Sequence, residues 1–289
     1  MNYQESISRL EEASVFGIKP GLERMQKILA VLGNPEKACK MIHITGTNGK
    51  GSVAAMITSV LENTNLKVGR FTSPHLIDYT ERIYLGGKDI SREDFAKAAT
   101  VVFKAHDELV AAGEEALTEF ELLTAIAFWY FRENKADYAV MEVGMGGRFD
   151  ATNVVMPVVS VITNVAMDHM QYLGNTLPEI AREKAGIIKT GVPVVFDANE
   201  SEAAAVIADR ARELHSPCTA LEKKMYRMLE FKNNFIDFSL STAYDKETRW
   251  TIPGAAEYQV ENAALAILAM RILQQQYPEE VAGENAEEQ

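Results

Sequence analysis

The sequence predicts an α/β fold in which a doubly wound, mostly parallel sheet is flanked by helices. Two segments, DYAVMEVG at 137–144 and VVSVITNV at 158–165, are nearly continuous apolar runs, as expected of parallel strands buried on both faces. A third apolar run, MIHIT at 41–45, ends in a glycine-rich turn that leads into a helical pattern over 52–63. Strands and helices then alternate along the chain, which is typical of a doubly wound domain.

Most of the other elements before residue 137 are marked by signals at their ends. The helical pattern over 20–33 opens with Pro20 and finishes on Gly33, which are the residue types favoured at those two ends. Ser91 precedes Asp94 by three residues and is expected to cap a long helix. The remaining predictions here are a strand at 67–72, a Gly-Gly hairpin at 81–90 and a second long helix at 119–134.

Beyond residue 165 the alternation continues and then changes character. We expect a helix around 176–188, a strand in VPVVFD, a helix in SEAAAVIADRAREL and a last helix over 258–276. Segment 219–252 instead contains short, more polar strands (FIDFSL and TRWTI), which predict an antiparallel addition at one edge of the sheet. Residues 278–289 are acidic and poor in apolar side chains, so they are predicted to form a disordered tail after a domain over 1–277.

Composition argues against several classes of partner. The chain has 289 residues, 47% of them hydrophobic, which suffices for one large domain or two smaller ones. Its net charge of -12 would repel a nucleic acid or an anionic lipid surface, so neither is expected as a partner. The first residues do not have the layout of a secretory signal, no apolar run has membrane-spanning length, and the two cysteines form no CxxC motif. We therefore expect a cytoplasmic monomer.

A glycine-rich loop between the first predicted strand and its helix is the main candidate for a binding site. Residues 46–52 read GTNGKGS, and backbone N–H groups at the start of a helix form an anion site. Glycine lets the backbone curl around phosphate oxygens, and Lys50 would place a positive charge against the β- and γ-phosphates. The spacing differs from the common Walker form, and a purely structural glycine-rich turn is the alternative.

This loop resembles the GTNGK loop of the Mur-type amide ligases, and its GTNGKGS form is similar to that of the folylpolyglutamate and dihydrofolate synthase family. In the Mur branch a threonine usually follows the lysine, whereas Gly51 follows it here. Further blocks resemble the same family in the expected order from about residue 17 to about residue 270: GLERM, TSPHL, TEFE, EVGMGGRFDATN, DH, EKAGIIK and QVENAALA. The resemblance implies a P-loop NTPase-like central domain of the Mur ligase type over 1–277, with an N-terminal helical segment.

The resemblance also implies ATP and Mg²⁺ as cofactors and assigns residues to them. The ATP-binding residues would be Gly46, Thr47, Asn48, Gly49, Lys50, Gly51, Ser52 and Asn262, the last of which contacts adenine in the family. The magnesium ligands would be Ser73, Glu142 and His169, with His169 bound to a second magnesium ion. From the residues alone, Glu142 is a carboxylate at the end of a buried strand, which requires a cation or a structural salt bridge. The alternatives for the others are an ST-type turn at Ser73, a structural role for His169 and a helix-surface position for Asn262.

Two further sets of residues follow from the resemblance. Lys184 is carbamylated in similar enzymes, so Lys50, Lys184 and His169 would be the catalytic residues, with a plain solvated lysine as the alternative for Lys184. The pterin would be bound by Ile18, Lys19, Pro20, Thr118, Glu119, Phe120, Glu121, Phe149, Asp150 and Ala151. In such a pocket an aromatic ring offers stacking, and a carboxylate can accept hydrogen bonds from the heterocycle.

The implied activity is ATP-dependent ligation of L-glutamate to a pterin carboxylate, either dihydropteroate or a reduced folate such as tetrahydrofolate, through an acyl phosphate. Family members carry a further C-terminal domain that closes over ATP. We expect this chain to hold only the ATP- and pterin-binding half, which would make a separate C-terminal domain a partner. The alternatives are a Mur-type ligase acting on a UDP-sugar peptide, against which Gly51 and the TSPH loop argue, and a non-catalytic nucleotide- or folate-binding remnant.

Overall fold

The fold is organised around one large sheet in a computed structural model that describes residues 1–17, 19–242, 248–254 and 256–281. The strands of this sheet are β1 (Lys40–Thr45), β2 (Val68–Phe71), β3 (Ile83–Leu85), β4 (Lys88–Asp89), β5 (Tyr138–Glu142), β6 (Pro157–Ile162), β7 (Val194–Asp197) and β8 (Cys218–Leu221). They lie in the order β4-β3-β2-β5-β1-β6-β7-β8. Neighbours from β2 to β8 pair in parallel, and the predicted hairpin β3-β4 adds an antiparallel edge. The predicted mostly parallel sheet is confirmed.

Helices cover both faces of this sheet. They are α1 (Tyr3–Ser14), α2 (Glu23–Val31), α3 (Lys50–Glu62), α4 (Arg92–Ala111), α5 (Glu119–Glu133), α6 (Met170–Leu173), α7 (Leu177–Lys184), α8 (Ser201–Glu213), α9 (Tyr258–Gln276) and α10 (Pro278–Val281). Met41 of β1 belongs to the core formed with α1, α2, α4 and α5, whereas Ile42 and Ile44 belong to the core formed with α3 and α9. Successive side chains of a strand point to opposite faces, so a central strand must be apolar on both.

Segment 219–252 differs from its prediction. Beyond β8, three strands form a separate antiparallel sheet, β11-β10-β9: β9 (Tyr226–Lys232), β10 (Phe235–Leu240) and β11 (Thr248–Pro253). The alternating apolar residues Ile236 and Phe238 of β10 are buried in the same core as α9. The antiparallel strands are therefore present, but their predicted place at the edge of the large sheet was wrong. The strands bury their one apolar face against a helix, and that edge is occupied by β8.

The first four residues of the acidic tail predicted over 278–289 are helical instead of disordered. Pro278–Val281 form α10, Val281 is buried, and Tyr138 donates a 2.9 Å hydrogen bond to Glu280. Lys40 forms an ion pair with the same carboxylate. Composition failed to identify this helix because the groups that bind Glu280 come from β1 and β5, far away in sequence. Residues 282–289 lie outside the described residues.

The predicted helix ends agree with the structure only in part: the helix expected over 20–33 is the shorter α2, which begins after Leu22 rather than at Pro20, because Gly21 has φ +133° and interrupts the helical backbone. Ser91 accepts a 3.0 Å hydrogen bond from the backbone N–H of Asp94 at the start of α4, and α9 has the predicted bounds. Among the described residues, no helix is both long enough and apolar enough to cross a lipid bilayer.

Candidate nucleotide and acceptor site

The phosphate loop, residues 46–52, joins the end of β1 to the start of α3 and is held by the end of β6. Thr163 Oγ1 donates to the Asn48 carbonyl (2.5 Å), and Asn164 Oδ1 accepts from the Asn48 N–H (2.8 Å). Gly46 approaches so closely that a Cβ there would lie 1.8 Å from Thr163 Oγ1. Gly49 has φ +84°, in the left-handed region, immediately before the helix. The predicted strand, loop and helix unit is therefore built as an anion site requires.

Lys50 is the first residue of α3, and its ammonium group is held under the loop. Nζ donates to the carbonyl oxygens of Gly46 and Thr47, at 3.2 Å each, and lies 4.0 Å from Glu142 Oε1. Only 17% of the side chain is exposed. The cation is thereby fixed at the carboxyl ends of β1 and β5, where open α/β sheets bind their ligands.

Glu142 is the last residue of β5 and is 4% exposed. Burial raises the pKa of this carboxyl to about 7, against the opposing effects of Lys50 and of the Ser73 N–H, which lies 3.4 Å from Oε2. A carboxylate in this position lacks a close cation. A bound metal ion would supply the missing positive charge. The salt bridge to Lys50, at 4.0 Å, satisfies it only in part.

A polar cavity of about 380 Å³, here called the side cavity, is lined by the phosphate loop, Ser73 and Glu142. Carboxylate and hydroxyl oxygens are the ligands that Mg²⁺ prefers, so Ser73 and Glu142 fit this ion. Among the residues described, no group of three His, Cys, Asp or Glu side chains is arranged to hold a metal. A magnesium ion here would therefore take its other ligands from water or phosphate oxygens.

A second cavity, of about 480 Å³, lies next to it and is here called the main cavity. Ser73 and Pro74 line both cavities, and Lys50 lines the main cavity. Most of the residues predicted to bind the pterin also line the main cavity: Lys19, Pro20, Thr118, Phe120, Glu121, Phe149, Asp150 and Ala151. Glu119 is not among the lining residues, because its carboxylate accepts a 2.8 Å hydrogen bond from the Tyr79 hydroxyl. Ile18 lies outside the described residues.

Of the other two residues predicted to be catalytic, His169 lines the main cavity and Lys184 does not. His169 adopts left-handed backbone angles (φ 46°, ψ 41°) at the start of α6 and has Nε2 3.6 Å from Asp168 Oδ2. Lys184, at the end of α7, is only 2% exposed. Burial lowers the pKa of its amine to about 7, assisted by the positive charge of Lys50 and opposed by Asp168. The alternative of a plain solvated lysine is therefore wrong, because the side chain is buried and burial favours its neutral form.

The glycine loop, residues 144–147, forms one wall of the main cavity, and Asp150 holds its backbone. Asp150 Oδ2 accepts hydrogen bonds from the N–H groups of Gly144 (3.0 Å) and Met145 (3.1 Å). Phe120 packs so closely beneath Gly144 that a Cβ there would lie 2.6 Å from the ring. The Asp150 carboxylate is 8% exposed, and its lone pairs are used inside the protein.

Glu121 is similarly engaged within the fold. Its carboxylate accepts from the Thr118 N–H (2.8 Å) in a capping box and from Arg24 Nε (3.1 Å). Arg24 also donates to the Lys19 carbonyl at 2.7 Å, which ties the N-terminal segment to α5. These contacts shape the main cavity, and they leave the expected role of Glu121 as an acceptor for the heterocycle a prediction.

Asn262 lies against the phosphate loop rather than on a helix surface. The residue is 6% exposed, and a Cβ at Gly49 would lie 2.2 Å from its Oδ1. Its Nδ2 donates to Gln259 (3.0 Å), and Gln259 in turn contacts Ser52 Oγ at 3.3 Å. The α9 helix therefore supports the phosphate loop, while contact with adenine stays a prediction.

Sequence reasoning missed Arg82 and His43. Arg82 lines the main cavity and donates from Nε to His75 Nδ1 at 2.8 Å, and burial lowers the pKa of its guanidinium. The sequence around Arg82 did not indicate a binding residue, because its position at the cavity depends on how the turn packs in the folded chain. His43 did carry a signal, since a histidine within a buried parallel strand is a polar residue that requires a partner.

Comparisons with known proteins agree with this geometry. Residues 44–270 match the family described as Mur ligase middle domain. A Bacillus subtilis (strain 168) protein named dihydrofolate synthase/folylpolyglutamate synthase is 42% identical over 278 residues, a match that covers 92% of this chain. This chain spans 63% of that relative's length.

Solved structures give the same result. The apo form of the L. casei folylpolyglutamate synthase (FPGS) superimposes with a TM-score of 0.89 at 34% identity, covering 99% of this chain and 70% of that one. A structure described as an FPGS-AMPPCP-folate complex has a TM-score of 0.85 at 34% identity, covering 97% and 70%. This chain thus belongs to the Mur ligase family through its middle domain, and within that family to the folylpolyglutamate and dihydrofolate synthases.

Proposed function

We propose that this chain is the ATP- and pterin-binding part of a ligase that joins L-glutamate to a pterin carboxylate, dihydropteroate or tetrahydrofolate. The observation that carries the proposal is the meeting of the two cavities at Ser73 and Pro74. A nucleotide on the phosphate loop would have its terminal phosphate near Lys50 and Glu142, beside an acceptor in the main cavity. A relative's complex with AMPPCP and folate supports the pairing of these two ligand classes.

The chemistry would proceed in two steps. A carboxylate oxygen of the acceptor attacks the γ-phosphorus of ATP, the bond to the β-phosphate oxygen breaks, and ADP leaves behind an acyl phosphate. The glutamate amine then attacks the acyl carbon, the C–O bond to phosphate breaks, and inorganic phosphate and a proton are released. Such transfers depend on positioning and charge neutralisation rather than on a protein nucleophile.

The described residues supply that environment. The ammonium of Lys50, held by two carbonyl groups, neutralises charge on the β- and γ-phosphates, and backbone N–H groups of the phosphate loop bind their oxygens. Mg²⁺, held by Ser73 and Glu142, would supply further neutralisation of the phosphates. His169, which lines the main cavity, would hold a second magnesium ion.

Lys184 is the proposed site of carbamylation. A neutral amine is required for attack on CO₂, and burial favours that form of Lys184 at neutral pH. The amine nitrogen forms an N–C bond as one C=O π bond of CO₂ opens, and the nitrogen then releases one proton, so a neutral amine becomes an anion beside Lys50. A carbamate resonance in the ¹³C spectrum with labelled bicarbonate, absent in Lys184→Met, would support it, and identical spectra would contradict it.

Calorimetric binding to the full chain tests the function. We expect Mg·AMPPCP to bind, dihydropteroate or tetrahydrofolate to bind in addition, and a UDP-linked peptide acceptor not to bind. Lys50→Ala should weaken nucleotide binding at least about tenfold, the scale of one lost charge-assisted contact, because it removes the cation under the phosphate loop. Lys97→Ala, a lysine with a 60% exposed side chain on α4, is the matched control.

Turnover separates a ligase that is active with this chain alone from a chain that only binds its ligands. Pterin-dependent phosphate release with glutamate added to the product would establish the ligase with this chain alone. Binding of both ligands without release would indicate that further residues are needed, as in a binding half or a remnant. Binding of the UDP-linked acceptor in place of a pterin would overturn the proposal.

A further inference from the structure

His43 lies in the middle of β1 and is fully buried, yet the proposed chemistry does not use it. Its Nε2 is 2.8 Å from Thr152 Oγ1, while its Nδ1 is buried without a hydrogen-bond partner. A buried polar atom without a hydrogen-bond partner destabilises the folded state, so an interaction of His43 is expected to offset this cost. The contacts of Thr152 supply one.

Thr152 connects His43 to the residue that holds the glycine loop. Thr152 Oγ1 donates to Asp150 Oδ1 at 2.5 Å, and the Thr152 N–H donates to the same oxygen at 3.0 Å. Burial raises the pKa of the Asp150 carboxyl, and four donors oppose this by binding the ionised form: these two and the N–H groups of the glycine loop. The three side chains form one buried chain of hydrogen bonds from β1 to the wall of the main cavity.

The direction of the hydrogen bonds fixes the tautomer of His43. The hydroxyl proton of Thr152 is directed to Asp150, so its oxygen is an acceptor toward His43, and Nε2 must carry a proton. Nδ1 is then the unprotonated atom, in agreement with its lack of an acceptor. Burial lowers the pKa of His43 to about 3, with a further contribution from the charge of Lys189, so the ring stays neutral at physiological pH.

β1 makes a second contact of the same kind. Thr45, two residues after His43, donates from Oγ1 to the Gly146 carbonyl at 2.5 Å. Residues two apart on a strand share a face, so both side chains reach the same segment from one rigid, central strand. β1 also leads directly into the phosphate loop. The same rigid strand therefore positions both the glycine loop and the phosphate loop.

We propose that His43 is a positioning residue which, through Thr152 and Asp150, fixes the glycine loop for the pterin acceptor. The inference rests on the proposed function for the identity of that acceptor. It assigns no contact between His43 and a ligand. Loss of the donor at Nε2 should loosen the wall of the main cavity while leaving the phosphate loop, which is held by β6 and α9, able to bind nucleotide.

Paired variants test the hydrogen bonds separately from packing. His43→Gln keeps an N–H donor near the position of Nε2, whereas His43→Asn places its amide near Nδ1 and loses that donor. Thr152→Val removes the hydroxyl at nearly constant shape, and Thr152→Ser retains it. We expect His43→Asn and Thr152→Val to raise the Kd for the acceptor about tenfold, the scale of one hydrogen bond to a charged group. The Kd for Mg·AMPPCP should change less than about twofold, and the Gln and Ser variants should bind nearly as the parent does.

The inference is overturned if all four variants bind the acceptor like the parent, or if acceptor and nucleotide weaken together. It is also overturned if His43→Gln behaves like His43→Asn. If the variants fail to fold, the unmodified chain still provides a test. Its ¹⁵N–¹H spectra should show a protonated Nε2 and an unprotonated Nδ1 at His43, unchanged from pH 5 to 8. A protonated Nδ1 would overturn the inference. Absence of pterin binding to the parent would instead contradict the proposed function.

Discussion

Replacing Glu142 by glutamine removes a carboxyl group that the fold buries without a close cation. The pKa of this group is raised by burial from 4.5 in the unfolded chain to about 7 in the folded one. The folded state therefore binds more protons than the unfolded state between these values, and stability falls as the pH rises through that window. A shift of this size costs the folded chain about 3 kcal/mol above pH 7 and less than about 1 kcal/mol at pH 5.

Urea unfolding of parent and Glu142→Gln at pH 5 and pH 8 measures this cost. The amide brings its own constant contribution, so the informative quantity is the change in the stability difference between the two pH values. We expect the variant to gain about 2–3 kcal/mol relative to the parent on going from pH 5 to pH 8, while losing binding of Mg·AMPPCP. A gain near zero, or one of opposite sign, would refute the view that Glu142 is an uncompensated buried charge.

Glu121→Gln is the matched control, because Glu121 is buried to the same degree but lies 3.0 Å from Arg24. Removing one partner of a buried ion pair leaves the other charge unpaired. We expect this variant to be destabilised by about 3 kcal/mol at both pH values. The stability difference of Glu121→Gln should thus stay the same between pH 5 and pH 8, whereas that of Glu142→Gln should change by about 2–3 kcal/mol.

Two further predictions concern the phosphate loop and the buried lysine. Gly49→Ala should weaken Mg·AMPPCP binding at least about tenfold and cost about 1–3 kcal/mol, because a Cβ would lie 2.2 Å from Asn262 Oδ1 at φ +84°. Adding Asn262→Gly, which removes the overlap but not the backbone strain, should restore stability only in part, and full recovery would contradict the role of φ. Lys184→Met should be more stable than the uncarbamylated parent by about 5 kcal/mol at pH 6, because the folded chain binds fewer protons at a lysine whose pKa is lowered to about 7. Denaturation at pH 9 should show about half that advantage, and an advantage that grows with pH would contradict the sign.

Local patterns predicted most of the architecture. The central strands were recognised because both faces are apolar, and α4 because Ser91 lies three residues before Asp94 at its start. The strands of the small antiparallel sheet were predicted, but their position in the fold was not. Periodicity identifies which face of a strand is apolar, and it does not specify which helix covers that face. The short helix α10 was missed for the same reason, since its stability depends on Lys40 and Tyr138.

The sequence by itself determined the strand, the loop at 46–52 and the helix that form one unit, together with the single lysine of that loop. It also determined the family to which the chain belongs, because these features are encoded in adjacent residues. Only the tertiary structure decided that Lys184 is buried with a lowered pKa, and that Asp150 holds the glycine loop. It also decided that His43 is linked to that loop through Thr152. These properties arise from groups that are far apart in sequence and meet only when the sheet is assembled. A residue's type is local, whereas its burial, its partners and its protonation state are set by what packs around it.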